Sequence, residues 1–168
     1  MIDPNGWSMR MFDLTNPGGA PQAQLIASPK RFSTTAAQTG QFFGLALDNA
    51  NPPNIYAAAT SIYGLPLLAS DTGVRLKTGA PNAVFMNALF GPAASGGGPA
   101  SIWRIDGRTG EVRLFANVAT GNSGPALGGL AFDPSTASLF AVDRETGLIF
   151  SYDLNGQERG RFDHGVTA

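Results

Sequence analysis

Carboxylates are the chemically capable side chains that recur in this sequence. Asp143, Arg144 and Glu145 stand together before Thr146 and Gly147 on a connection between two apolar runs. A pair of carboxylates there can take a hard divalent cation such as calcium through oxygen ligands. Asp71, in the run Ala-Ser-Asp-Thr-Gly, offers the same group in a second loop. Asp143, Arg144, Glu145 and Asp71 are therefore the candidate ligand-binding residues. The same Asp-Arg-Glu-Thr-Gly run also reads as an ordinary charged turn closing on glycine. No catalytic residue is assigned, and no cofactor is called for beyond such a cation.

Other chemistries lack their residues. His164 is the only histidine, which excludes multi-histidine zinc sites and leaves one triad member near the end of the chain. Cysteine is absent, removing disulfides, thiolate metal sites and cysteine nucleophiles together. Gly96-Gly97-Gly98 is not followed by the Lys-Ser/Thr of a phosphate-binding loop and reads as flexible linker. Ser123-Gly124 lacks the glycine pattern of a nucleophile elbow. Trp7, Trp103 and Tyr63 suit a carbohydrate or peptide platform, but packing between sheets accounts for aromatic residues better.

These residues are carried by short strands and turns. Gly-Leu-Ala-Leu-Asp from Gly44 matches Gly-Leu-Ala-Phe-Asp from Gly129, and each is followed by a polar, proline-containing turn and a second apolar strand, Ile55 to Ala59 or Leu139 to Val142. That is an inner hairpin, occurring twice. A second hairpin occurs three times around an apolar residue and an aspartate: Phe12-Asp13, Ile105-Asp106 and Tyr152-Asp153. Because Asp48, Asp106, Asp133 and Asp153 recur at strand ends, they are expected to brace turns by accepting backbone N–H groups. A site is built once, whereas a turn is built in every repeat.

Composition agrees with many strands joined by turns. Hydrophobic residues make up 43% and charged residues 14%, far from the composition of disordered chains, and 22 glycines with 12 prolines argue against long helices. Formal net charge is −1 without blocks of either sign, so nucleic acid is not an expected partner. No run approaches the roughly 18 apolar residues of a spanning helix, and no membrane partner is expected. No signal peptide is legible, and location stays open: a secreted or periplasmic protein is compatible if the sequence is a truncated piece. The partner class is an unidentified protein or small molecule, with self-association through open sheet edges as a further expectation.

The last inner and outer hairpins together span about 35 residues, close to the repeat of a four-stranded propeller blade. The expected fold is all-β: antiparallel four-stranded blades of a β-propeller in an incomplete ring. Residues 1–168 form a single partial propeller domain, with a half blade at 1–27, a blade at 42–116 and a blade at 128–162. The insertion at 60–100 interrupts the middle blade and is expected to hold an extra hairpin or helical turn around Val74 to Leu76 and Val84 to Leu89. The stretch from Gly128 to Gly156, GGLAFDPSTASLFAVDRETGLIFSYDLNG, resembles the NHL repeat and the related six-bladed gluconolactonase-type propellers. That resemblance implies a blade and spreads the function over scaffolds, lyases and lactonases. The functional expectation is a propeller-type binding or scaffold module of unknown ligand. The alternatives are a fragment of a metal-assisted hydrolase or lactonase and a structural assembly repeat of a secreted multidomain protein.

Overall fold

The structure is a computed structural model that describes residues 2–15, 30–60, 67–77, 79–120, 126–163 and 165. Within these residues the chain is all-β, apart from a single turn of α-helix and a 3-10 turn. The first sheet pairs β1 (Trp7–Phe12) with β2 (Lys30–Thr35), and α1 (Ala36–Thr39) follows. The second is a four-stranded sheet in the order β3 (Phe42–Leu47), β4 (Ile55–Ala59), β8 (Ser101–Ile105), β9 (Val112–Asn117). Between β4 and β8 sits a small sheet in which β5 (Leu67–Ala69) is flanked by β6 (Arg75–Leu76) and β7 (Ala83–Phe85). The fourth runs in chain order through β10 (Leu127–Asp133), β11 (Ser138–Asp143), β12 (Leu148–Tyr152) and β13 (Glu158–Asp163). Every pairing is antiparallel and none of these sheets closes on itself.

Several expectations shift in detail. The strand that pairs with β1 lies at Lys30–Thr35, beyond residue 27, because Lys-Arg-Phe-Ser-Thr-Thr supplies β-branched and aromatic residues in alternation. The insertion does form extra strands, but β6 and β7 do not pair with each other; both pair with β5. After β7, Leu89 and Phe90 are buried against Ala59 and Trp103. The glycine run is ordered rather than a free linker. The Trp103 indole N–H donates to the Phe90 carbonyl at 3.0 Å, and the Gly98 N–H donates to Ser101 Oγ at 2.7 Å. A Cβ on Gly97 would stand 2.9 Å from the Trp103 ring, so glycine is required there by contact.

The two four-stranded sheets repeat their register through the three inner strands, whereas the outermost strand shifts between Ile102 and Trp103 in one and between Ser151 and Tyr152 in the other. Ile55 lies opposite Ile105, and Ile105 opposite Val112, in one, as Leu139 lies opposite Tyr152, and Tyr152 opposite Glu158, in the other. Each sheet therefore has two equivalent faces. From the β3–β4–β8–β9 sheet, Ala46, Tyr56, Ala58, Ile102 and Ala116 pack on Leu139, Ala141, Phe150 and Tyr152 of the β10–β13 sheet, with Leu130 and Phe132 joining at the inner edge. The other face of the β3–β4–β8–β9 sheet buries Ile55, Ala57 and Ile105 under Met9, Met11 and Phe32 from β1 and β2. The order of stacking is thus β1–β2, then β3–β9, then β10–β13.

The inner strands approach most closely. A Cβ on Gly44 would lie 2.3 Å from the Gly128 carbonyl oxygen and 3.1 Å from the Leu130 nitrogen, so β3 and β10 meet backbone to backbone. Farther out, Phe115 fills the widening gap edge-on to Tyr56 and to Tyr152, with ring centroids 4.9 and 6.2 Å apart. Burial pushes the Tyr152 hydroxyl up to about 12, and Glu158 adds to the shift. That hydroxyl is buried and bonds to no protein group. Two outcomes follow for urea unfolding. Gly44→Ala is expected to cost about 3 kcal/mol through overpacking against backbone that cannot yield. Tyr152→Phe is expected to leave stability unchanged or raise it by about 1 kcal/mol, because it removes a hydroxyl without removing a bond. A Gly44→Ala chain as stable as its parent would contradict the close approach.

Candidate functional site

The recurrent aspartates all point back into their own turns. Asp106 Oδ1 accepts the N–H groups of Arg108 and Thr109 at 2.9 and 2.8 Å, and Asp153 Oδ1 accepts those of Asn155 and Gln157 at 2.9 and 3.0 Å. Asp133 accepts the Ser135 N–H and the hydroxyls of Ser135 and Thr136. Asp13 accepts the Thr15 N–H at 2.9 Å. Asp48 is the most elaborate. It accepts both N–H donors of Asn54 at 2.8 and 2.7 Å, the Ala50 N–H, and the Tyr56 hydroxyl at 3.3 Å.

Those bonds favour the charged carboxylate. The backbone donor of Thr109 holds Asp106 below the ordinary value of 3.8, the Thr136 hydroxyl does so for Asp133, the Gln157 N–H for Asp153 and the Thr15 hydroxyl for Asp13. At Asp48, partial burial pushes the other way, but the Asn54 donors outweigh it and the net shift is downward.

Asp143 is the deepest of the carboxylates expected to bind a ligand, with 0% of its surface exposed. Its Oδ1 accepts the Ala126 N–H at 2.7 Å, while Oδ2 accepts the Thr146 hydroxyl at 2.7 Å and the Thr146 N–H at 3.2 Å. The Arg144 N–H returns to the Ala126 carbonyl at 2.9 Å, and the Gly147 N–H to the Asp143 carbonyl at 2.9 Å. The turn therefore clips the end of β11 to the start of β10. The Arg144 side chain lies along Gly128, where a Cβ would come within 3.2 Å of its aliphatic carbons. Glu145 is exposed on the same turn. Asp71 is exposed in the β5–β6 turn, where Oδ1 accepts the Thr72 N–H at 2.9 Å.

The four candidate residues thus divide between two turns, and Asp143 has both oxygens committed. Among the described residues no three carboxylate, histidine or cysteine side chains gather to hold a metal ion. His164, Tyr63 and Ser123 lie outside the described residues. Trp103 is core, 1% exposed, whereas Trp7 is 54% exposed.

Two surface features escaped the sequence. At Trp7, the Arg10 guanidinium sits 3.2 Å from the ring centroid and the Lys30 ammonium 4.8 Å, beside an irregularity in pairing between Trp7 and Met9. On the free face of the last sheet, Phe140, Ile149, Ser151, Arg159, Gly160, Arg161 and Phe162 line a groove of about 290 Å³. The sequence signal for the second is the alternation in β11 and β12, where Phe140, Ile149 and Ser151 interleave with the buried Leu139, Ala141, Phe150 and Tyr152. Compared with known proteins, the chain matches no family model, no curated protein and no solved structure.

The carboxylates set an acid limit. Their folded pKa values lie below the ordinary 3.8, so the stability they contribute is complete above that value and is lost as pH falls through the lowered ones. Thermal midpoints measured from pH 5 downward are expected to fall below pH 4, less steeply when Asp106 and Asp153 are both replaced by Asn. Asp143→Ala is expected to cost about 3 kcal/mol at pH 7 by leaving the Ala126 and Thr146 donors unpaired. A chain whose stability is indifferent to Asp143→Ala in chemical denaturation would return that carboxylate to the list of available ligands.

Proposed function

We propose that this chain is a binding or scaffold module of the β-propeller type, in which β3–β4–β8–β9 and β10–β13 are successive blades and β1–β2 is the outer half of a third. The strand order, the shared register of the three inner strands and the convergence of inner strands at Gly44 and Gly128 support that reading. So does the resemblance of Gly128 to Gly156 to an NHL-type blade. The function follows from how the stack ends.

One comparison carries it. Tyr56, Ile102 and Ala116 on the first four-stranded blade are 1%, 0% and 8% exposed because the second blade covers them. By register, their counterparts on the second blade are Phe140, Ile149 and Phe162. Phe162 is 60% exposed, and Phe140 and Ile149 line the open groove. The cluster of Phe140, Ile149 and Phe162 bordered by Arg159 and Arg161 supports an interaction surface. Its natural complement is another antiparallel sheet presenting an apolar face, and the partner we commit to is a second copy of the chain.

Light scattering across a concentration series is the test. Self-association is expected, weakened at least tenfold by Ile149→Lys with Phe162→Lys, while the thermal midpoint of the monomer stays unchanged. A wild-type chain that remains monomeric throughout would overturn the face as a self-association surface.

A further inference from the structure

Gly160 is a residue of the last sheet that the chain's own folding does not explain. It stands in the middle of β13, its φ lies outside the left-handed region, and a Cβ added there would meet nothing within 4 Å. Neither backbone conformation nor packing among the described residues calls for glycine, and glycine inside a strand weakens it. Close approach of another molecule accounts for such a residue. With Ser151 beside it, Gly160 forms the low floor of the groove on the free face.

The register gives that floor a pattern. One row across the free face holds Val142, Ile149 and Phe162, and the next row on that face holds Phe140, Ser151 and Gly160. Between them run Ala141, Phe150 and Arg161, of which Ala141 and Phe150 are buried on the opposite side of the sheet. A two-fold axis laid along this middle row brings a second copy of the sheet face to face with the first. Phe162 of one copy then stands over Gly160 of the other, Ile149 over Ser151, and Val142 over Phe140. Sheets packed in this way lie about 10 Å apart with their strands nearly aligned, and a large side chain set on a small one fills that space without overlap.

The same axis decides where charges fall. Arg159 donates to the Thr136 carbonyl at 3.1 Å and to Ser138 Oγ at 3.3 Å, which holds its guanidinium at the start of β11. Across Ala141 the image of that position is the turn 144–146 of the other copy. There Arg144 lies along Gly128, while Glu145 is exposed. Neither Arg159 nor Glu145 has an ion-pair partner of its own among the described residues.

We propose that the free face closes an isologous two-fold dimer, in which Phe162 of each copy seats over Gly160 of the other and Arg159 of each pairs with Glu145 of the other. A head-to-tail contact would instead set this face against β1–β2 of the next copy. There Arg10 and Lys30 at Trp7 would meet the arginine border of the groove, opposing like charges. The two-fold contact occupies the same patch on both copies and leaves none for a third.

The inference rests on the self-association read above and adds to it a symmetry, a register and a stop at two copies. Light scattering is expected to plateau at twice the monomer mass. Gly160→Val is expected to weaken association by roughly tenfold or more through overpacking beneath Phe162. The thermal midpoint of the monomer is expected to stay unchanged or rise, since valine suits a strand better than glycine. Arg159→Glu and Glu145→Arg are each expected to weaken association. An equimolar mixture of those two variants is expected to restore it as a heterodimer, because both crossings then pair opposite charges. A mass that climbs past two copies, a Gly160→Val chain that associates as well as its parent, or a mixture no tighter than its components would each overturn the proposal and leave self-association standing. A wild-type chain that stays monomeric would remove both.

Discussion

The contact between Gly44 and the backbone at Gly128 fixes how the two large sheets lie. Two strands can approach this closely only where no Cβ intervenes, and the approach brings the sheets together at their inner edges. The interface is then a wedge. Alanines at 46, 58 and 141 occupy its narrow part, and Phe115, Phe150 and Tyr152 occupy the wide part. Large and small side chains are thus arranged by distance from the inner edge, and the same gradation recurs on the face covered by β1 and β2, where Ala57 lies inside and Met9, Met11 and Phe32 reach in from outside.

Much of this was legible because the repeated sequence encodes its own register. Gly-Leu-Ala-Leu-Asp and Gly-Leu-Ala-Phe-Asp identify inner strands, and the aspartates mark where each strand stops. Their role was also readable from recurrence, since a short carboxylate beside a turn satisfies backbone donors wherever the turn is repeated. What the sequence obscured were features set by contacts distant along the chain. The partner of β1 is separated from it by a long connection, and nothing local to Lys30–Thr35 names β1 as its neighbour. Gly96-Gly97-Gly98 has the composition of a linker, yet Trp103 stands against it and turns its lack of side chains into a packing requirement.

Asp143 illustrates the same limit for the candidate site. Its neighbours Arg144 and Glu145 make the segment look like an exposed charged loop, and Glu145 is one. The carboxylate of Asp143 faces inward because the donor it meets, the Ala126 N–H, arrives from the start of another strand. At the equivalent position in the β3–β4–β8–β9 sheet stands Ala59, which has no such group to offer. One turn therefore carries a bond that its counterpart lacks, and a reading based on repetition alone passes over it.

The unequal settings of the two tryptophans give the molecule a pair of optical reporters. Trp103 is enclosed in the first four-stranded sheet with its indole N–H bonded to the Phe90 carbonyl, so its emission should be blue-shifted and shielded from aqueous quenchers. Trp7 is exposed on the β1–β2 hairpin beneath a guanidinium, so its emission should be red-shifted and readily quenched by iodide, which the neighbouring cations attract. Fluorescence resolved by quencher can therefore follow the hairpin and the sheet it covers as two separate signals, without any label.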